Sequence, residues 1–313
     1  MKTILVTGIG GDIAQSVAGI IREHRPRYRL VGTDLHDQHG GSLFVSSMHV
    51  VPRADSPGYL RRLQEIMEKE DVDIVIPMTE PELAVLLPQI EAATDKALWI
   101  TSGRQVVAAG IDKLETAKQL ANLGLPVPWT IPVIEGYPKT YPCIIKNRFG
   151  SGSRNQSIVR SSEDAVFFSA RNPEAIFQEL LEPEDREVTC AVYRTRDGRV
   201  AVLQLLRRLT GGFTGWARVI DDPSITQLCI AIADGLDLRG SMNVQLRNTL
   251  AGPRVFEINP RFSSTALMRQ KMGFSDVLWA LDEAENAPVS FPHIHPGTIG
   301  VRTQDAAIIQ PST

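Results

Sequence analysis

The chain has 313 residues, with 33 lysines and arginines against 36 aspartates and glutamates, 43% hydrophobic and 22% charged positions, and a formal charge of −3. That is the make-up of a globular protein long enough for two or three compact units, and it excludes a disordered or fibrous chain. No basic run marks a nucleic-acid or anionic-membrane surface, and no apolar run is long enough to span a bilayer, so neither nucleic acid nor membrane is an expected partner.

The first hundred residues alternate strand-like and helix-like segments, the pattern of a parallel sheet covered by helices. Thr3 to Thr7 reads as a buried strand, Ile13 to Arg22 as a helix and Arg29 to Asp34 as a second strand. Tyr59 to Glu70 carries Leu60, Leu63, Ile66 and Met67 on one helical face. Ile74 to Pro77 is the next strand, Glu82 to Ala92 a helix and Leu98 to Ile100 a short strand. A new unit opens at Asp112-Lys113-Leu114-Glu115, a capping-box pattern, and Gly124 and Pro126 stop its helix. The expected boundary is near residue 110.

Beyond it, Tyr141 to Lys146 reads as a strand, Gly150 to Asn155 as a Gly/Ser loop, Glu163 to Ala170 as a helix and Ile176 to Leu181 as a strand. Glu187 to Tyr193 and Val200 to Leu206 form antiparallel strands joined by the Asp197-Gly198 turn. Pro223 to Leu236 is a helix, Met242 to Arg247 and Arg254 to Ile258 are strands, and Phe274 to Asn286 is a closing helix. The N-terminus runs directly into its first strand, so no targeting segment is expected. Cys143, Cys190 and Cys229 are far apart without paired spacing, which points to a reducing, cytoplasmic setting and no metal-thiolate site.

The most informative residues are Asn243-Val244-Gln245 and Glu257-Ile258-Asn259-Pro260-Arg261. On neighbouring strands they place a carboxylate, amides and a guanidinium on one surface, since Glu257 and Asn259 share a face by the two-residue period. Burying four such groups between apolar strands costs too much to be incidental. Oxygen ligands of this kind suit Mg²⁺ bridging to nucleotide phosphates.

These two strands resemble the metal-binding strands of the ATP-grasp superfamily, in particular the branch containing the carbamoyl phosphate synthetase large chain. The resemblance covers nearly the whole chain and implies an α/β Rossmann-like pre-ATP-grasp domain over residues 1–110. A two-lobed α+β ATP-grasp domain would follow over 111–313, with lobes of about 111–180 and 181–313. It makes Gln245, Glu257 and Asn259 the ligands of Mg²⁺ (or Mn²⁺) and sets Arg261 on the transferring phosphoryl group. Lys113 and Lys146 match residues that touch the nucleotide phosphates. Independently of the family, an ammonium leaving the apolar strand at Lys146 needs an anionic partner. Ser151, Gly152 and Ser153 would form the loop covering the phosphates. Glu179, Leu180 and Leu181 would form the hinge that receives adenine, and Glu187 the acceptor of the ribose hydroxyls.

The reaction so implied uses ATP to phosphorylate a small-molecule carboxylate, then joins the acyl phosphate to an amine with release of ADP and phosphate. Such chemistry rests on positioning and charge neutralisation, which accounts for the lack of a nucleophile triad. Gly212-Phe213-Thr214-Gly215 lies where the carbamoyl phosphate synthetases carry His-Thr-Gly, and without the histidine bicarbonate chemistry is disfavoured. Those enzymes also carry two such modules, and this chain has room for one. A homodimer stays open.

The rival class is an NAD(P)-dependent oxidoreductase or a dinucleotide-binding regulator. Thr7-Gly8-Ile9-Gly10-Gly11-Asp12 is a glycine turn between a strand and a helix, and Asp34 ends the next strand. However, no tyrosine is followed four positions on by lysine: after Tyr28, Tyr59, Tyr137, Tyr141 and Tyr193 come Gly32, Leu63, Tyr141, Ile145 and Asp197. His293 and His295 alternate without a third ligand and receive no role.

Overall fold

Thr3–Val6 forms strand β1, buried at all four positions, as a parallel strand covered by helices on both faces must be. The computed structural model describes residues 2–88, 90, 96–150 and 156–303. Helix α1 (Asp12–His24), strands β2 (Arg29–Asp34) and β3 (Ser47–Val50), helix α2 (Tyr59–Lys69), strand β4 (Ile74–Ile76), helix α3 (Glu80–Leu86) and strand β5 (Leu98–Trp99) complete the first unit. Its five strands run in the order β3-β2-β1-β4-β5, with every pairing parallel. Helix α3 opens on a capping box in which Thr79 and Glu82 exchange side-chain and backbone bonds, leaving Glu80 in its first turn. The helix expected over Glu82 to Ala92 starts earlier than the pattern suggested, and positions 89 and 91–95 of that span lie outside the described residues.

Helix α4 (Arg104–Gly110), which the pattern did not announce, leads into α5 (Lys113–Asn122). Asp112 caps α5 as expected, accepting from the N–H groups of Leu114 and Glu115. Its second partner is the Arg148 guanidinium at 2.7 to 3.0 Å, in place of a return bond from the Glu115 side chain. Strands β6 (Thr130–Pro132), β7 (Cys143–Asn147) and β8 (Ser157–Val159), helix α6 (Ser162–Arg171) and strand β9 (Ala175–Glu179) follow. They build a four-stranded antiparallel sheet in the order β6-β9-β7-β8.

The last sheet combines β10 (Glu187–Arg194), β11 (Val200–Thr210), β12 (Phe213–Ile220), β13 (Gly240–Thr249), β14 (Gly252–Asn259) and β15 (Ile299–Val301). Helices α7 (Pro223–Gly235), α8 (Ala266–Met272) and α9 (Asp276–Ala284) pack with it. The strand order is β14-β13-β10-β11-β12-β15, antiparallel throughout. Of the Gly212 to Gly215 stretch, expected near an acceptor, Gly212 lies in the turn between β11 and β12 and Phe213 to Gly215 begin β12.

Val17, Ile20 and Ile21 of α1 share one core with Tyr193, Ala217, Phe274, Val277 and Leu281, so the first sheet and the last are packed through common apolar contacts. Two close approaches then fix the chain leaving β14. A Cβ on Gly110 would stand 2.5 Å from Pro260 Cδ, so only glycine lets α4 come this near. Ser102 Oγ donates to the Pro260 carbonyl at 3.0 Å.

Candidate active site

A cavity of about 560 Å³ opens between the four-stranded and six-stranded sheets. Lys113, Lys146, Arg207 and Arg247 line it together with the carboxylates of Glu179, Glu184, Glu187 and Glu257. The two motif strands deliver their residues by pairing, because Gln245 lies opposite Glu257 and Asn243 opposite Asn259. Between Gln245 and Leu246 the register slips, which leaves Phe256 as the extra residue of a β-bulge. Phe256 and Glu257 consequently both line the cavity, although they are consecutive.

Lys146, next to last in β7, lies in this cavity and is only 7% exposed. Its ammonium donates to the Phe256 carbonyl at 3.3 Å and stands 5.6 Å from the centre of the Phe256 ring. Burial lowers its pKa from the ordinary 10.5 to about 8, against the opposing pull of the Glu257 carboxylate, with Lys113 adding to the depression. Lys113 begins α5 and donates to the Gly150 carbonyl. The two lysines expected to meet phosphates are therefore in one cavity, and an anion would relieve both the desolvation and the mutual repulsion.

A polar chain crosses the floor of the site. Arg207 donates to Gln245 Oε1 at 2.8 Å, Gln245 Nε2 donates to Asn259 Oδ1 at 3.3 Å, and Asn259 Nδ2 donates to Glu257 Oε1 at 2.8 Å. The Glu257–Asn259 contact matches the shared face expected of them. Gln245, expected as a ligand, has its oxygen engaged by Arg207 in this arrangement. Among the described residues no three His, Cys, Asp or Glu side chains converge on a metal site. No lysine or arginine among them pairs with Glu257, so its carboxylate is a hard anionic donor facing a cavity. One such carboxylate, with amide and phosphate oxygens, suits Mg²⁺.

Three further groups of expected residues have partners of their own. Arg261 does not stand with Lys146 in the cavity; it donates to Glu80 Oε1 at 2.9 Å and to the Phe262 carbonyl at 3.2 Å. Glu187 lines the cavity, but Arg207 binds one of its oxygens and Arg247 the other, the latter at 2.8 Å. It is thus held by two guanidiniums, not offered freely to ribose hydroxyls. At the hinge, the Glu179 N–H is taken by the Trp129 carbonyl and its carboxylate accepts from Arg254, while the Leu181 carbonyl accepts from Arg247. Leu180 and Leu181 still line the cavity as apolar walls. Ser151, Gly152 and Ser153 lie outside the described residues.

Arg207 and Arg247 are functional candidates that the sequence did not single out. Arg247 could have been found, since it lies two positions after Gln245 and so shares its strand face. Arg207 had no local signal: it sits at the charged end of β11 beside Arg208, where a solvated pair is the ordinary reading.

The glycine turn of the rival class is already filled from within. Gly10 N–H donates to Asp34 Oδ2 at 2.6 Å, and His39 packs so tightly on Gly10 that an added Cβ would stand 2.5 Å from its ring. A carboxylate and an imidazole thus lie against the glycine turn at the start of α1. The rings of His293 and His295 stack edge to face, 4.8 Å apart.

Comparison with known proteins agrees with the fold. Residues 4–101 match the model of the PylC-like N-terminal domain and residues 111–265 that of the ATP-grasp domain. A formate-dependent phosphoribosylglycinamide formyltransferase of Dechloromonas aromatica (strain RCB) is 24% identical over 294 residues, covering 82% of this chain and 69% of that protein. Among solved structures, the ADP complex of N5-carboxyaminoimidazole synthetase from Staphylococcus aureus superposes with a TM-score of 0.74 at 18% identity, covering 96% of this chain and 80% of the other. The L-amino acid ligase of Bacillus licheniformis gives 0.72 at 15% identity, covering 91% and 74%. With a PylC-like domain followed by an ATP-grasp domain, the chain is a member of the ATP-grasp superfamily.

Proposed function

We propose that this protein is an ATP-dependent carboxylate–amine ligase that works through an acyl phosphate and releases ADP and phosphate. The observation that carries the reading is the buried Lys146 ammonium beside Glu257 in a cavity also lined by Lys113, Arg207 and Arg247. Arg207 and Arg247 share the Glu187 carboxylate, whereas among the described residues no ion pair within the cavity engages the Lys113 and Lys146 ammoniums, and nucleotide phosphates would supply the anion they need. The likeness to a formyltransferase, a carboxyaminoimidazole synthetase and an amino acid ligase supports the ligase class.

In this reading residues 1–110 are the pre-ATP-grasp domain and 111–313 the ATP-grasp domain, with lobes of about 111–180 and 181–313. Leu180 and Leu181 wall the adenine, Lys113 and Lys146 hold phosphate oxygens, and residues 151–153 cover them. Mg²⁺ or Mn²⁺ would rest on Glu257 with Asn259 and the phosphates, neutralising charge during in-line transfer. Arg261 stabilises the transferring group once released from Glu80. The carboxylate and the amine enter from the side of Arg261 and α3. Three buried free cysteines suit a reducing cytoplasm.

The test is ligand-induced stabilisation of the purified chain. Mg-ATP should raise the melting temperature, since a ligand that binds only the native state stabilises it by mass action, and NAD(P) should not. A shift with NADPH and none with Mg-ATP would overturn the reading.

A further inference from the structure

The polar chain on the floor of the cavity has a fixed direction, and that direction opposes a metal ion. Arginine can only donate hydrogen bonds and an ionised glutamate can only accept them. With Arg207 at one end and Glu257 at the other, the two amides between them have one consistent orientation. Gln245 must turn its oxygen to Arg207 and its NH₂ to Asn259, and Asn259 must turn its oxygen to Gln245 and its NH₂ to Glu257. The Asn259 group facing the Glu257 carboxylate is therefore a donor, where a divalent cation would need an oxygen. To ligate a metal beside Glu257, Asn259 has to turn over, which sets its NH₂ against that of Gln245 unless Gln245 turns as well. Gln245 cannot turn without presenting NH₂ to the Arg207 guanidinium.

Arg207 is held in this role. Its side chain is 9% exposed, and Glu187 clasps it through Nε at 2.9 Å and Nη2 at 2.5 Å, the same nitrogen that reaches Gln245. It also lines the cavity where phosphates would enter, so an anionic ligand competes for it directly. We propose that Arg207 is a positioning residue that orients Gln245 and Asn259 against a free divalent cation, so that the metal ion is taken up with nucleotide phosphate and not ahead of it. The proposal rests on the metal site assigned above.

The test is Mn²⁺ binding to the full chain, measured by electron paramagnetic resonance with and without ADP. Wild type should bind Mn²⁺ weakly alone and well in the presence of ADP. Arg207→Met should tighten nucleotide-free binding by about tenfold, the scale of one relieved hydrogen-bond mismatch. Arg247→Met removes a positive charge from the same cavity without touching Gln245, so it measures the effect of charge alone and should change binding by less than about threefold. Gln245→Met cuts the chain without changing charge and should reproduce the Arg207→Met gain, which also covers the case in which Arg207→Met fails to fold. Equal gains in Arg207→Met and Arg247→Met would overturn the proposal, as would weaker binding in Gln245→Met, which would make Gln245 a ligand in the empty protein. Tight Mn²⁺ binding by wild type without nucleotide would overturn it too. Failure of the metal site itself reads differently: Glu257→Gln would then bind Mn²⁺ in the presence of ADP as well as wild type does.

Discussion

The Arg261 guanidinium donates to Glu80 Oε1 at 2.9 Å, tying the segment that leaves β14 to the first turn of α3 in the other sheet unit. Both side chains are about nine-tenths buried, so neither charge is satisfied by water. Breaking such a pair by neutralising one member costs about 3 kcal/mol. Glu80→Gln should lower thermal stability by roughly that amount and change ADP formation more than nucleotide affinity, because Arg261 lies outside the cavity proposed for the nucleotide. Melting curves and ATP titration of the variant check both. Unchanged turnover would show that the pair only fastens the two units together.

Lys146 gives a pH dependence with a definite sign. Its pKa falls from 10.5 to about 8 on folding, so between those values the unfolded chain binds more protons than the native one. Relative to Lys146→Met, wild-type stability should therefore rise as pH increases from 8 towards 10.5 and run parallel below 8. Bound phosphate favours the ammonium, so nucleotide binding above pH 8 should take up a proton. Calorimetry in buffers of different ionisation enthalpy reads that proton directly, and Lys146→Met should lose it.

How much of this was legible follows from which interactions are local. The face shared by Glu257 and Asn259 needs only the two-residue period of a strand, and the Asp112 cap needs only four consecutive residues. The bulge at Phe256 depends on the register with β13, which no local pattern encodes. Helix α4 has just seven residues, Arg104–Gly110, with two valines of poor helix propensity, and forms because Val106, Val107 and Ala109 are buried in tertiary contacts. Strand β12 hides behind Gly211, Gly212 and Gly215, and β11 supplies the pairing that overrides them. Arg207, Glu187 and Glu80 gain their partners only across strands or between sheets. The partners of Arg261 and Glu187 were out of reach of the sequence for the same reason.

Gly110 tests the close approach to Pro260. Gly110→Ala places a methyl group 2.5 Å from Pro260 Cδ, and the backbone carrying Asn259 and Arg261 has to move. Overpacking of this kind costs about 1–3 kcal/mol. Turnover should fall while nucleotide affinity, which the proposed site places at Leu180 and Leu181, is largely kept. Full activity in this variant would show that the segment adapts without consequence.

Glu257→Gln keeps the shape of the side chain and its contact with Asn259 but removes the anionic donor. ADP formation should fall on the order of a hundredfold or more, the usual loss when a group that stabilises transition-state charge is removed. Nucleotide affinity should become less sensitive to Mg²⁺, and the melting temperature should fall only modestly, since Glu257 acts on Lys146 through its charge without a direct ion pair. Undiminished turnover would make Glu257 an ordinary strand carboxylate.

The reaction class is decided by trapping the intermediate. If the enzyme makes an acyl phosphate, hydroxylamine in place of the amine should attack the carbonyl carbon, break the bond to the phosphate oxygen and give a hydroxamate with free phosphate. A panel of amino acids and other small carboxylates, each incubated with ATP, Mg²⁺ and hydroxylamine, should therefore contain members that yield a ferric-hydroxamate colour together with ADP. The expectation rests on Lys146, Lys113 and Glu257 sharing the cavity in which the phosphates would lie, with Arg261 in reach of its far side once Glu80 is displaced. Arg261→Ala should depress hydroxamate formation strongly, by about two orders of magnitude for a lost transition-state cation, while ADP affinity measured separately is nearly unchanged. Products of AMP and pyrophosphate would refute transfer of the terminal phosphoryl group, because attack would then fall on the α-phosphate. ADP without hydroxamate from any carboxylate would point instead to phosphorylation of another acceptor, and the amide-forming reading would fall even with the ATP site in place.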